Sequence, residues 1–308
     1  MARRISIGTW AYSIGPYANQ PVPFTEVVEK LSALGFDGLE LGGFGVHPNP
    51  DALKTKEQRA AARNLWESRG MACSGLAADL WGERLITAPD NKSYLATYRK
   101  NLAFCQDMGI DVIRVDTTEP PNVLGQVPGE EPAKKVVEYK DALNRVSSTW
   151  KQCAKEAAEV GIRVVWEFEP GFAFNKPSDF ERVLDAVDED NFAMLFDTCH
   201  ANMVTRGSRQ VGKKETMEGG VVALAKRLKG KIGRIHLIDS DGTLHHNETS
   251  THPPFGDGEL DFDAIVPALV AAGCPDDWWT IDLCFWPDAW EATEKCKRAA
   301  DALAKKYT

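Results

Sequence analysis

Residues 162–197 read IRVVWEFEPGFAFNKPSDFERVLDAVDEDNFAMLFD, and the order of patterns within them decides the fold. IRVVWEF (162–168) is a short apolar run rich in β-branched and aromatic residues, the composition of a strand. PSDFERVLDAVDED (177–190) carries apolar residues three or four apart, as a helix with one buried face requires. FAMLFD (192–197) is a second strand-like run. Both runs are apolar almost throughout rather than alternating. Strands of that kind are parallel and covered on both sides.

The same alternation extends in both directions. ISIGTW (5–10), DGLELG (37–42), MACSGLAA (71–78) and DVIRVD (111–116) precede it, and IGRIHLID (232–239) and WWTIDLC (278–284) follow. Amphipathic stretches at 23–35, 56–70, 93–109, 139–161, 214–230 and 261–273 fill the gaps, and another at 289–307 closes the chain. Several end on a glycine (Gly35, Gly70, Gly109, Gly161, Gly273) suited to a left-handed helix cap. Eight strand–helix units in 308 residues predict an α/β protein, one (β/α)8 barrel spanning 1–308. A doubly wound open sheet is the alternative. It usually shows a glycine-rich dinucleotide loop after the first strand, and GTWAYSIG (8–15) is not one.

Composition narrows the function. The hydrophobic share is 43% and the charged share 26%, ordinary for a globular protein. A net charge of −9 and a pI near 5.3 argue against nucleic acid as a partner, since a binder presents a basic face. Seven cysteines with no CxxC spacing read as reduced thiols of a cytoplasmic protein. No run is long enough for a signal peptide or a membrane span.

Barrel chemistry sits where strands end, and four successive strand ends carry acids or an imidazole. The fifth offers Glu167 and Glu169, although Pro170 marks where the chain turns away. The sixth offers Asp197, with His200 on the following loop. The seventh offers His236 and Asp239, and the eighth Asp282. A lone carboxylate at a strand end is usually a helix cap or a salt-bridge partner, and a lone histidine in an apolar strand usually a core residue. Four together on consecutive strands predict a divalent cation held by Glu167, Asp197, His236 and Asp282. Mostly oxygen ligands with one imidazole suit Mn2+ first, then Mg2+ or Co2+. Trp10 and Trp286, also at strand ends, are candidates for stacking on a sugar face.

The order Glu, Asp-x-x-His, His, acid at the ends of strands five to eight resembles the xylose-isomerase-like sugar isomerase/epimerase superfamily, nearest its D-tagatose 3-epimerase branch. FDTCHANM (196–203) is similar to that branch's Asp-x-x-His loop, HPPFGDGELDF (252–262) to its glycine-rich loop before the eighth unit, and ALGFDGLELGG (33–43) to its second strand. The resemblance covers nearly the whole chain. It implies Glu167, Asp197, His236 and Asp282 as metal ligands, His200 as a substrate contact, and the acids at 167 and 282 as proton-transfer groups.

Two departures stand out. The family's last acid is normally glutamate; Asp282 is one methylene shorter, which sets its oxygens ~1.5 Å further back, and a 1 Å misplacement can cost ~10²-fold in rate. The loop HHNETSTHPPFG (245–256) supplies histidines where the epimerases offer a basic residue, so His252, then His246, are candidate acids or substrate contacts. Asp239 is a further candidate substrate contact.

The expected activity is therefore a metal-dependent sugar isomerase or epimerase, removing a proton next to a carbonyl of a sugar or keto-sugar through an enediolate. Glu167, Asp282 and His252 are the expected catalytic residues. The alternative is a lyase that expels the aglycone from a 3-keto-glycoside. Relatives of that kind, the C-glycoside deglycosidase catalytic subunits, work with a small partner subunit, and Trp10, Tyr12, Trp81, Phe285 and Trp286 would suit an aryl aglycone. An endonuclease IV-like repair enzyme shares the barrel but needs more histidine ligands and a basic face. The expected partners are a small sugar or glycoside, with a homo-oligomer or a small second subunit, and neither nucleic acid nor membrane.

Overall fold

In the computed structural model, residues 3–246 and 248–308 are described. Eight parallel strands form one sheet: β1 (Arg4–Ile7), β2 (Gly38–Gly42), β3 (Ala72–Ala77), β4 (Val112–Val115), β5 (Arg163–Glu167), β6 (Phe192–Asp197), β7 (Ile232–Leu237) and β10 (Trp278–Ile281). They run in the order β1-β10-β7-β6-β5-β4-β3-β2. A parallel bridge between Gly8, just past β1, and Glu40 on β2 brings the two edges together. The barrel is nearly closed, as the alternation predicts.

Helices cover its outside: α1 (Phe24–Ala33), α2 (Lys56–Glu67), α3 (Lys92–Met108), α4 (Tyr139–Ala158), α5 (Pro177–Val187), α7 (Gly220–Arg227), α8 (Phe262–Ala272) and α9 (Ala289–Tyr307). Gly109 and Gly273 cap α3 and α8 in the left-handed conformation (φ 67° and 82°), a geometry that costs a Cβ-bearing residue energy. Large aromatics fill the layer between strands and helices. Trp66, Trp150, Trp166 and Trp279 are fully buried, and Trp150 packs on Trp166 with ring centroids 5.3 Å apart.

Besides short 3-10 turns, the structure adds a helix and a hairpin absent from the sequence pattern. α6 (Thr198–Thr205) springs directly from β6, and a two-stranded hairpin, β8 (Leu244–His245) with β9 (Thr249–Ser250), rises from the loop after β7. The helix expected over 214–230 is confined to α7, because Gly219 and Gly220 both take positive φ (82° and 51°) just before it settles. No helix among the described residues is long and apolar enough to cross a membrane.

The barrel interior is polar along much of its height. Ser6 on β1 bonds Thr280 on β10 (2.9 Å) and accepts from Ser74 on β3 (2.9 Å). Glu40 on β2 reaches across to His236 on β7 (3.3 Å), and Arg234 on β7 donates to the Ser74 carbonyl on the opposite wall. Buried polar groups of this kind are tolerated only when paired. The ladder leads to the open ends of the strands.

Candidate active site

Strand register brings the four expected ligands to one height. His236 lies opposite Asp197 on β6 and opposite Thr280 on β10. Asp282 is two residues beyond Thr280 and so faces the same way. Glu167 ends the neighbouring β5. One ligand atom from each of Glu167, Asp197, His236 and Asp282 lies within 4.8 Å of all the others, and all four side chains are buried.

Each side chain is held at one atom and turned inward at another. Glu167 Oε2 accepts from Arg114 Nη1 on β4. Asp197 Oδ1 accepts from the backbone N–H of His200 (2.8 Å), capping α6. Asp282 Oδ1 accepts from Trp10 Nε1 (2.8 Å) and from the Cys284 N–H (2.9 Å). Glu40, which also accepts from Thr280 Oγ1 (3.0 Å), fixes Nε2 of the His236 ring. The remaining atoms, Glu167 Oε1, Asp197 Oδ2 and His236 Nδ1, are buried without a hydrogen-bond partner. His236 Nδ1 stands 3.1 Å from Glu167 Oε1 and 3.8 Å from Asp282 Oδ2. Orphaned buried atoms are rare in folded proteins and call for a reason. Three of them converging from different strands fit a cation, and the oxygen-rich set fits a hard or borderline divalent one.

The electrostatics point the same way. Burial by itself would raise the Glu167 carboxyl, but the Arg114 guanidinium and the His236 ring hold it well below the usual carboxylate range. Burial and the charges of Glu167 and Asp282 push Asp197 well up, and the His236 ring opposes them only in part. Burial acts to lower His236, yet Glu40 and Glu167 raise it well above an ordinary histidine. The pocket therefore concentrates negative charge faster than its hydrogen bonds neutralise it.

Beside this cluster opens a cavity of about 40 Å3. His200, 2% exposed, shares a hydrogen bond with Ser250 Oγ through Nδ1 (2.9 Å) and places Nε2 4.0 Å from Glu169 Oε2. His252 is buried with both ring nitrogens unpartnered and packs edge-on against His200, centroids 4.9 Å apart. Burial drives both imidazoles down, His200 well below its ordinary value. Trp10 lines the cavity, as do Trp81 and Phe285.

Other expected contacts lie elsewhere. Asp239 is not in the cavity; its carboxylate accepts the backbone N–H of Ser240 (2.8 Å), Gly256 (2.9 Å), Gly258 (3.2 Å) and Leu260 (3.0 Å), and so ties down the following loop. His246 is exposed at the hairpin turn, its ring against His245 (4.1 Å) and outside the cavity lining. Trp286 is half-buried against the core, and its neighbour Phe285 takes the lining position. Tyr12 is a core residue, bonded to Thr293 Oγ1 (2.7 Å). In the other direction, Arg114 and Glu40 went unnoticed in the sequence. Their signal was a charge inside an otherwise apolar strand, in VIRV and GLELG. Glu169 does face the cavity despite Pro170, and Thr249 Oγ1 donates to it (2.8 Å).

With this geometry in place, residues 28–305 match the xylose isomerase-like TIM barrel family. The chain belongs to that family. It is 22% identical to an inosose dehydratase of Lacticaseibacillus casei over 284 residues, 88% of this chain and 85% of that one. The fold superposes on D-psicose 3-epimerase from Clostridium cellulolyticum H10, solved with D-tagatose, at a TM-score of 0.70, with 16% identity and 99% of each chain covered. It also superposes on 3-keto-D-glucoside 4-epimerase of Escherichia coli at 0.69, with 16% identity, covering 98% of this chain and 99% of that one. By name, the two structural neighbours are epimerases and the sequence relative a dehydratase.

Proposed function

We propose that this enzyme removes a proton from the carbon beside a carbonyl of a sugar or keto-sugar, with Glu167 as the base, and returns it in an isomerase or epimerase reaction. The observation that carries the reading is the convergence of Glu167, Asp197, His236 and Asp282 at the open strand ends, with three inward atoms left unpartnered. These four residues would hold a divalent cation, Mn2+ by preference, with Mg2+ or Co2+ as the other choices. When bound, such a cation polarises a carbonyl and its neighbouring hydroxyl and so acidifies the C–H between them.

The chain's own groups then divide the work. Arg114 anchors one Glu167 oxygen and keeps the carboxylate ionised, the form a base requires, while the strand fixes its direction. Asp282 is held by two donors on one oxygen and serves chiefly as a ligand. His200 contacts the substrate. His252, kept neutral by burial, is suited to donate a hydrogen bond to a departing or returning oxygen. The unit taken to act is the whole chain, 1–308, on a small molecule, as a homo-oligomer or with a small second subunit.

A second reading shares the first step: loss of a group one carbon further on gives a lyase. The unpartnered ring nitrogens of His252 at the cavity wall support it, as does the similarity to an inosose dehydratase. Deuterium exchange into 3-keto-glucose in D2O tests the shared step. Glu167→Gln should lose it by at least ~10²-fold, the scale of general-base catalysis. Undiminished exchange in that variant removes Glu167 as the base. NMR of the products separates an epimer from an unsaturated sugar.

A further inference from the structure

Trp10 reaches the ligand cluster from the 3-10 turn after β1 (Thr9–Tyr12), and β1 contributes none of the four proposed ligands. Its indole Nε1 donates to Asp282 Oδ1 (2.8 Å), the same oxygen that takes the Cys284 N–H (2.9 Å). Two donors on Oδ1 fix the plane of the carboxylate and turn Oδ2 to the cluster, 3.8 Å from His236 Nδ1. The ring centroid lies 5.8 Å from the guanidinium carbon of Arg114 and 6.0 Å from the His236 ring. The first distance is within the ~6 Å over which a cation is drawn to an aromatic face, and Arg114 is the residue that holds Glu167. One side chain, 3% exposed, thus bears on two of the four ligands.

The backbone beside the ring is shaped for it. Gly8 N–H donates to the carbonyl of Ile281 (3.0 Å), the residue before Asp282, and Gly8 bridges Glu40 on its other side. Beyond the ring, the Trp10 carbonyl accepts from the N–H groups of Ser13 (3.0 Å) and Ile14 (3.2 Å). Gly8 has φ −67° and ψ 118°, values that any residue adopts, so its backbone does not ask for glycine. Space does. A Cβ there would fall 2.3 Å from Trp10 Cε2 and Cζ2 and 2.8 Å from Cη2. Nor does the fold supply a partner for every buried indole: Trp279 Nε1 has none among the described residues. The missing side chain at 8 and the indole at 10 act as one device.

We infer that Trp10 is a positioning residue: it sets the carboxylate of Asp282 so that Oδ2 alone is presented to the cation, and Gly8 is the clearance that lets it do so. This rests on the cation proposed at the four residues, but not on which residue is the base or on the substrate.

Titration with Mn2+ alone, read from the EPR signal of the free ion, tests it without turnover. Trp10→Phe removes the N–H and should weaken Mn2+ binding about 10–100-fold, the scale for a partner that orients a ligand. Gly8→Ala keeps every side chain of the cluster but displaces the indole, and it should weaken binding in the same direction. Added to Trp10→Phe, it should cost no more than about twofold further, because the two changes act through one contact. A third change separates positioning from packing. Asp282→Glu lengthens the side chain into a site the indole already fills, so it should weaken Mn2+ binding in the wild type. In Trp10→Phe, where the smaller ring leaves room, the same change should instead recover binding by about tenfold or more. A merely structural Trp10 would lower the urea midpoint without reversing that sign. Unchanged affinity in folded Trp10→Phe or in Gly8→Ala overturns the inference, as does an equal effect of Asp282→Glu in the two backgrounds. If Trp10→Phe does not fold, Gly8→Ala decides alone. Wild-type protein that binds no Mn2+ overturns the cation reading and this inference together, whereas wild-type binding that the variants leave intact overturns this inference only.

Discussion

Arg114 does two jobs with one guanidinium. It binds Glu167 through Nη1 and stands 3.2 Å from Asp116 through Nη2, with all three side chains buried. Removing a buried ion's partner leaves an uncompensated charge, a loss of about 3–5 kcal/mol. Arg114→Met should therefore lower unfolding stability by about that amount in urea titrations, and Arg114→Lys, which keeps charge without the fork, by clearly less. Glu40 is the quieter case. It touches no inward atom but fixes the His236 ring from behind. Such supporting partners are worth about 10–100-fold in metal affinity, so Glu40→Gln should weaken Mn2+ binding on that scale while the barrel stays folded. Asp197→Ala removes a ligand outright and should leave purified protein with little metal by elemental analysis. Full occupancy in that variant would dissolve the site as described.

The elements show why some of this was legible in sequence and some was not. Strand ends were readable because an acid or histidine closing an apolar run is conspicuous, and register then did the rest. α6 was not, since all eight of its residues are buried and a helix without a polar face shows no amphipathic period. Strands of two residues, as in the β8–β9 hairpin, carry no pattern at all, so the placement of Ser250 behind His200 could only come from the fold. Asp239 shows a different limit: spacing reveals a carboxylate near the rim but not the backbone amides that hold it. Four N–H groups converge on that one side chain. Hydrogen bonds to a charged acceptor are worth about 1.5–3 kcal/mol each, mostly as local order in the loop that follows His252. Asp239→Ala should speed amide hydrogen exchange at Gly256, Gly258 and Leu260 and depress turnover, with protection in β5 and β6 unchanged. Slowed turnover without faster loop exchange would instead give Asp239 a direct role.

At the scale of the molecule, a barrel with an acid-lined, buried lumen must respond to pH. Asp116 is the clearest reporter. Burial, offset in part by Arg114 and reinforced by the charge of Glu167, lifts its carboxyl to about 6 from an ordinary 3.8. A raised acid binds its proton more tightly folded than unfolded, so between those two values the native state carries more protons and stability falls as pH rises. A shift of that size corresponds to about 3 kcal/mol at most. Asp197 moves in the same direction and adds to the slope when no cation is bound. A divalent ion replaces that proton and favours the native state by mass action, about 2.7 kcal/mol at a hundred times its Kd. In chelated protein the contribution of Asp116 should thus be lost from about pH 4 to 6, against an opposing gain from the buried neutral His200 and His252, with Mn2+ adding stability mainly at the neutral end. Asp116→Asn cannot ionise, so its urea midpoint should rise relative to the wild type's as pH increases across that window, with or without metal. An unchanged slope in Asp116→Asn would mean that Arg114 compensates Asp116 fully and that the pH response belongs to the ligand cluster alone.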